Sequence, residues 1–280
     1  FFDFSFNLNA HLPARAAGGG AKTQRINAHF APLFLSVHFL NFFEIALAVL
    51  EHLASIKKTM PEKLKSIIEH FYHWESTVPD KVFLRQPYGD EWKELTYKEA
   101  GQEARRIANH LKIKGIGQGD HIGILSKNCY HWILSDLAIM MVGAVSIPHY
   151  ASLPKEQLKV VLELSDIKAL FVGKLESWGD KIGTVPKGAS IICFPQYTNA
   201  AEVPQGDKWE DILKNTEPLN ENFAPDLDDL WTIKFTSGTT GTPKGVMHIH
   251  RTPSLIMANE KKTGWIGFYN YDHHNFFSFL

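Results

Sequence analysis

From Met60 onward the apolar positions fall into short regular periods. Leu64, Ile67, Ile68 and Phe71 stand at i, i+3, i+4 and i+7, one stripe of an amphipathic helix, and Pro61 suits its first turn. Val82 to Arg85 and Trp92 to Leu95 are β-like runs around Pro87-Tyr88-Gly89-Asp90, the composition of a hairpin turn. Thr96 followed three residues later by Glu99 is a capping box, in which each side chain satisfies a backbone N–H that the helix leaves free. The helix it opens carries Ala100, Ala104, Ile107, Ala108 and Leu111 on one face and stops in the stretch from Gly115 to Gly119, as helices stop at glycine.

The pattern then alternates. His121 to Leu125 reads as a strand, Tyr130 to Met141 as a mostly apolar helix, and Ala144 to Ile147 as a strand ended by Pro148. Lys155 to Leu164 follows as a helix with Leu158, Val161 and Leu162 on one side; Lys168 to Val172 and Ser190 to Phe194 are further strands. Strands alternating with helices predict right-handed crossovers and a parallel sheet covered on both faces, an α/β layer fold. Residues 195–229 are rich in Pro, Asn and Asp. They read as a long surface connection with a short helix around Trp209 to Leu213, a length uncommon within one domain. Leu230 to Phe235 and Val246 to His250 read as strands again.

The organisation expected is therefore 60–194 as an α/β subdomain, 195–229 as a connection and 230–280 as a further region, with 1–59 standing apart. Before Met60 there is a Gly18-Gly19-Gly20 run, scattered aromatics and no clean period. Two readings compete for this stretch. One is upstream sequence translated in frame, non-native and poorly ordered. The other is a membrane helix from Phe30 to Leu50, about the length of a span. His38, Asn41 and Glu44 interrupt that run, and a charge at mid-bilayer is costly, so the first reading is preferred.

Composition narrows the function. With 29 Lys plus Arg against 30 Asp plus Glu, a net charge of −1, the chain lacks the basic excess that nucleic-acid binding requires. The two cysteines, Cys129 and Cys193, are too few and too distant for a disulfide framework or a zinc site. Cys193 lies in an apolar run and reads as a buried small hydrophobe in a reducing, cytoplasmic setting.

The chemistry is concentrated in Thr236-Ser237-Gly238-Thr239-Thr240-Gly241-Thr242-Pro243-Lys244-Gly245. Three glycines let a backbone curl and turn its N–H groups inward, a nest for anions. Four threonines and a serine add hydroxyl donors. Lys244 supplies a compact cation, and Pro243 restrains the segment before it. The set suits a triphosphate or a departing pyrophosphate. It is not a Walker loop, because Gly245 rather than Ser or Thr follows the lysine, and a strand rather than a helix comes next.

This segment resembles the signature loop of the adenylate-forming superfamily, which includes acyl-CoA synthetases and peptide-synthetase adenylation domains. Trp132 to Val142, Gly143-Ala144-Val145-Ser146-Ile147-Pro148, Tyr150-Ala151-Ser152-Leu153-Pro154 and Ser165-Asp166-Ile167-Lys168-Ala169-Leu170-Phe171-Val172 resemble its long-chain fatty acyl-CoA synthetase branch. The resemblance implies layered parallel-sheet subdomains of an adenylate-forming N-terminal domain, incomplete at the C-terminus. It implies ATP, Mg2+ and coenzyme A, with a fatty acid activated as acyl-AMP and passed to the CoA thiol. Thr236, Ser237, Gly238, Thr239, Thr240, Gly241, Thr242, Lys244 and Gly245 are then the nucleotide-binding residues. Short-chain, aryl or amino-acid activation stays open, as does peripheral membrane association and a non-catalytic truncated product. The family's adenine, ribose and metal segments and its catalytic lysine have no counterpart here. No catalytic residue is assigned, and the expectation is that this chain alone does not make acyl-CoA.

Other candidates read as structural. His248 and His250 alternate as packing positions, and with His273-His274 show no metal-site spacing, so no metal ligand is assigned. Lys127-Asn128 reads as a solvated turn capping the next helix, and Trp132, Phe171 and Trp178 as core.

Overall fold

The computed structural model describes residues 64–88, 90–236 and 243–263, without the side chains of 260–263. The readings of residues 1–59, of the apolar run from Phe30 to Leu50, of Ser237 to Thr242, of His273-His274 and of the terminal run ending at Leu280 lie outside the described residues.

Helix α1 spans Ile67–Thr77 and starts later than the stripe from Leu64 suggests. The reason is a second capping box. The Ser66 hydroxyl accepts from the Glu69 N–H at 3.3 Å, and the Glu69 carboxylate accepts from the Ser66 N–H at 2.8 Å. Strands β1 (Val82–Tyr88) and β2 (Glu91–Thr96) form an antiparallel pair of their own. They run longer than expected, with Pro87 opposite Trp92 inside the ladder. Each is an edge strand, where a missing N–H is tolerated. The Thr96–Glu99 box opens α2 (Tyr97–Ile113) as expected, and Ala100, Ala104, Ile107, Ala108 and Leu111 are all buried.

The main sheet follows from β3 (His121–Ser126), α3 (Tyr130–Met141), β4 (Val145–His149), α4 (Lys155–Ser165), β5 (Ala169–Gly173), β6 (Ser190–Cys193), β7 (Asp207–Lys208), α5 (Trp209–Asn215), β8 (Leu230–Thr236), β9 (Lys244–Ile249) and α6 (Arg251–Thr263). Its seven strands lie in the order β7-β6-β5-β3-β4-β8-β9, parallel throughout except for β9. Strand β4 does not end before Pro148. It continues to His149, with Pro148 opposite Ile124, while β8 pairs with it only at Ser146, so no ladder bond on that side asks for the proline's missing N–H.

Two cores sandwich the sheet. On one face α1, α2, α3 and α5 bring Ile68, Leu111, Leu134 and Trp209 against Ile122, Ile124 and Phe171. On the other, α4 brings Leu158 and Leu162 against Leu125, Ile147 and Val172. Helix α3 is buried almost all round because it lies between the sheet and α2, which explains its lack of a polar stripe. Each large side chain removed from water contributes about 1.5–3 kcal/mol.

The connection from 195 to 229 brings the chain back to the same sheet, with β8 beside β4. Part of it is strapped to α2. Arg106 donates to the Thr216 carbonyl and Asn109 to the Glu217 carbonyl, and the Arg105 carbonyl accepts from the Leu219 N–H. Arg105 also reaches Asn222 while holding Glu75 with both guanidinium arms. Beyond the strap, the Phe223 ring stands against Gly143. Among the described residues no helix is long and apolar enough to cross a membrane.

Candidate nucleotide-phosphate site

Because β3, β4, β5, β6 and β8 are parallel, their C-terminal ends share one edge of the sheet, where open α/β sheets present ligand crevices. Strand β8 ends there at Thr236, and β9 returns from Lys244. The two are antiparallel, with Thr236 opposite Lys244 and Phe235 opposite Gly245. The loop therefore joins two strands of a hairpin, as the sequence implies, and Ser237, Gly238, Thr239, Thr240, Gly241 and Thr242 lie outside the described residues.

At the mouth of this hairpin the Thr236 hydroxyl is directed to the Lys244 carbonyl at 3.5 Å, a long contact that leaves it free to turn to another acceptor. The Lys244 side chain is exposed and makes no ion pair among the described residues. Gly245 is placed differently from the expectation. It is a ladder residue of β9, not part of a curl. A β-carbon there would lie 2.8 Å from the Ile233 Cγ2, so its bareness serves cross-strand packing.

The hairpin is seated on β4. The buried Thr232 hydroxyl donates to the Ser146 carbonyl at 2.7 Å. On the same side the Ser146 side chain hydrogen-bonds Asp136 of α3, whose carboxyl is pushed up by burial despite that bond and the Lys234 charge. At the far end of β4 the His149 ring lies parallel to Phe235, centroids 6.2 Å apart. His149 is buried, and neither ring nitrogen has a partner among the described residues. Burial alone holds its pKa down at about 4, so it is neutral near pH 7.

The remaining candidates are structural. Lys127 pairs with Glu176 at 2.5 Å, and Lys174 donates to the Asn128 carbonyl at 2.7 Å. The turn does not cap α3 as expected: the N-cap is Cys129, and its side chain makes no cap bond. Phe171 and Trp178 are core, Trp132 packs at its margin, and Cys193 is buried. His250 is buried and His248 half-buried. No group of three His, Cys, Asp or Glu side chains among the described residues is arranged to hold a metal ion. Reading the sequence missed His149, which no motif marks.

The AMP-binding enzyme family model matches residues 71–273, and the chain belongs to that family of adenylate-forming ligases. The chain is similar to the Arabidopsis thaliana long-chain-fatty-acid–[acyl-carrier-protein] ligase AEE15, chloroplastic, at 31% identity, covering 64% of this chain and 28% of the relative. It is 35% identical to fatty acyl-CoA synthetase A of Dictyostelium discoideum, covering 63% and 28%. The chain thus spans under a third of the length of these relatives. Its fold is similar to that of Brucella canis acyl-CoA synthetase, with a TM-score of 0.60 at 19% identity over 75% of this chain and 38% of that one. Enzymes of this family use ATP.

Proposed function

We propose that this chain carries the triphosphate grip of an ATP-dependent long-chain fatty acid–CoA ligase. The observation that carries the reading is the β8–β9 hairpin, which sets Lys244, with no ion pair among the described residues, opposite Thr236 at the C-terminal edge of a parallel sheet. In the first step a carboxylate oxygen bonds to the α-phosphorus of ATP as the bond to the β-phosphate oxygen breaks. Pyrophosphate leaves with its charge increased, and a cation held beside it stabilises that departure. Lys244 supplies this charge, while Thr236 and the Ser, Thr and Gly residues from Ser237 to Thr242 supply donors. Mg2+ would be held chiefly by the nucleotide and water and would supply charge neutralisation at the phosphates; no residue of this chain is assigned to it. In the second step a CoA thiol attacks the acyl carbon, forming the thioester as AMP departs and the thiol proton is released.

The fatty acyl choice is supported by the stretch from Trp132 to Pro154 and by relatives named for fatty acyl substrates. One is named for an acyl-carrier-protein acceptor, so the thiol is tested together with the acid. The experiment is ATP–pyrophosphate exchange by the full reading frame that carries this chain, with palmitate, benzoate or acetate, followed by thioester formation on CoA or acyl carrier protein. Palmitate-dependent exchange and palmitoyl-CoA are expected. Exchange with benzoate or acetate alone overturns the acyl assignment. Exchange insensitive to Lys244→Ala overturns the role of the hairpin.

A further inference from the structure

His149 is 5% exposed, yet both its ring nitrogens lack a hydrogen-bond partner among the described residues. Its surroundings are apolar. Phe235 lies parallel to it across the strand pair. On the other side, a β-carbon on Gly123 would fall 3.4 Å from the His149 Nε2, 3.3 Å from Ile167 Cδ1 and 2.6 Å from Leu170 Cδ1, so these side chains fill the space that Gly123 leaves bare. A buried polar atom without a partner costs stability, and a phenylalanine or leucine would fill this space without that cost. The imidazole is neutral, so it has one donor and one acceptor to offer. It stands on the last residue of β4, at the C-terminal edge of the sheet, and among the described residues its stacked neighbour is Phe235, the residue before Thr236.

We infer that His149 is a positioning residue for polyphosphate binding: its imidazole makes its hydrogen bond when phosphate engages the end of β8, and so holds Phe235 and Thr236 in the binding geometry. The inference rests on the phosphate reading above and deepens it. It also explains why a polar ring persists where packing alone favours an apolar one.

The test is calorimetric titration of the protein with Mg2+-pyrophosphate, with thermal unfolding of each variant. His149→Phe keeps the ring stack and removes both nitrogens. It is expected to unfold at the wild-type temperature or above and to bind pyrophosphate about fivefold or more weakly, the worth of one hydrogen bond. His149→Gln keeps a donor and an acceptor and is expected within about twofold of wild type. His149→Leu provides the same comparison should phenylalanine fail to fold. Wild-type affinity in the apolar variants overturns the inference, and so does equal loss in His149→Gln and His149→Phe. Lys244→Ala separates the two readings. If it leaves pyrophosphate affinity unchanged, the phosphate reading itself fails. If it weakens binding while the apolar variants do not, only the role of His149 fails.

Discussion

The Thr232 hydroxyl donates to the backbone carbonyl of Ser146, 86 residues earlier, and both residues are buried. This bond ties the strand that leads into the Gly/Thr-rich segment to the centre of the α/β sheet, at the one position where β8 and β4 pair in register. Thr232→Val keeps the shape and removes the donor. It should lower stability by about 1 kcal/mol, read as a lower urea midpoint at an unchanged slope. An unchanged midpoint would mean that the bond contributes nothing to seating the hairpin.

Lys244 tests the site directly. Replacing it with alanine removes the exposed cation at the hairpin mouth and touches no described ion pair. Pyrophosphate release by the full enzyme should fall about 100-fold, with the unfolding temperature unchanged. A fall in both would assign Lys244 to the scaffold instead.

Gly143 has φ +71°, and a β-carbon on it would lie 2.7 Å from the Phe223 ring. Gly143→Ala should therefore destabilise by about 2 kcal/mol, from the left-handed backbone and the clash together. In the Gly143→Ala, Phe223→Ala double variant the clash is absent. The two losses should then fall short of adding; strict additivity would show that the ring and the glycine are energetically independent.

The buried imidazole of His149 predicts a pH dependence. Unfolded, it takes up a proton as pH falls through about 6.5. Folded, it stays neutral down to about 4. Between these values the unfolded state binds more protons, so stability declines as pH is lowered through the window, by up to about 1.4 kcal/mol per pH unit, and levels off below it. His149→Phe should flatten the wild-type profile by about one proton there. Parallel profiles for the two proteins, from denaturant midpoints at pH 7, 6 and 5, would refute the argument.

Much of the α/β layer could be read from residues alone, for identifiable reasons. Helix α2 is bounded by a capping box and a glycine stretch, and α3 falls on Tyr130–Met141 as the apolar run suggests. Proline misled twice, at Pro87 and Pro148, because its cost depends on whether a neighbouring strand needs its N–H, which local sequence does not state. The start of α1 was hidden by a stripe that runs past the Ser66–Glu69 cap. Strand β7 is two residues long, too short for any period, and α6, with Pro253 in its first turn, went unread. At the site, the composition of the loop was legible. The seat beneath it was not, because Ser146, His149 and Thr232 become neighbours only through the strand order.

The strap across α2 bears on the order in which the molecule is made. Strands β3 to β6 and their helices are complete in residues 121–193, whereas the connection that leads into β8 is held to α2 by contacts such as Arg105 with Asn222, 117 positions apart. Closing so long a loop is entropically slow compared with forming local pairs. In a chain synthesised from its N-terminus, the sheet can be laid down while the strap and hairpin are still untranslated. The β8–β9 hairpin is then added to strands already paired, and pulse-labelled amide exchange should find β8 and β9 protected after β3 and β5.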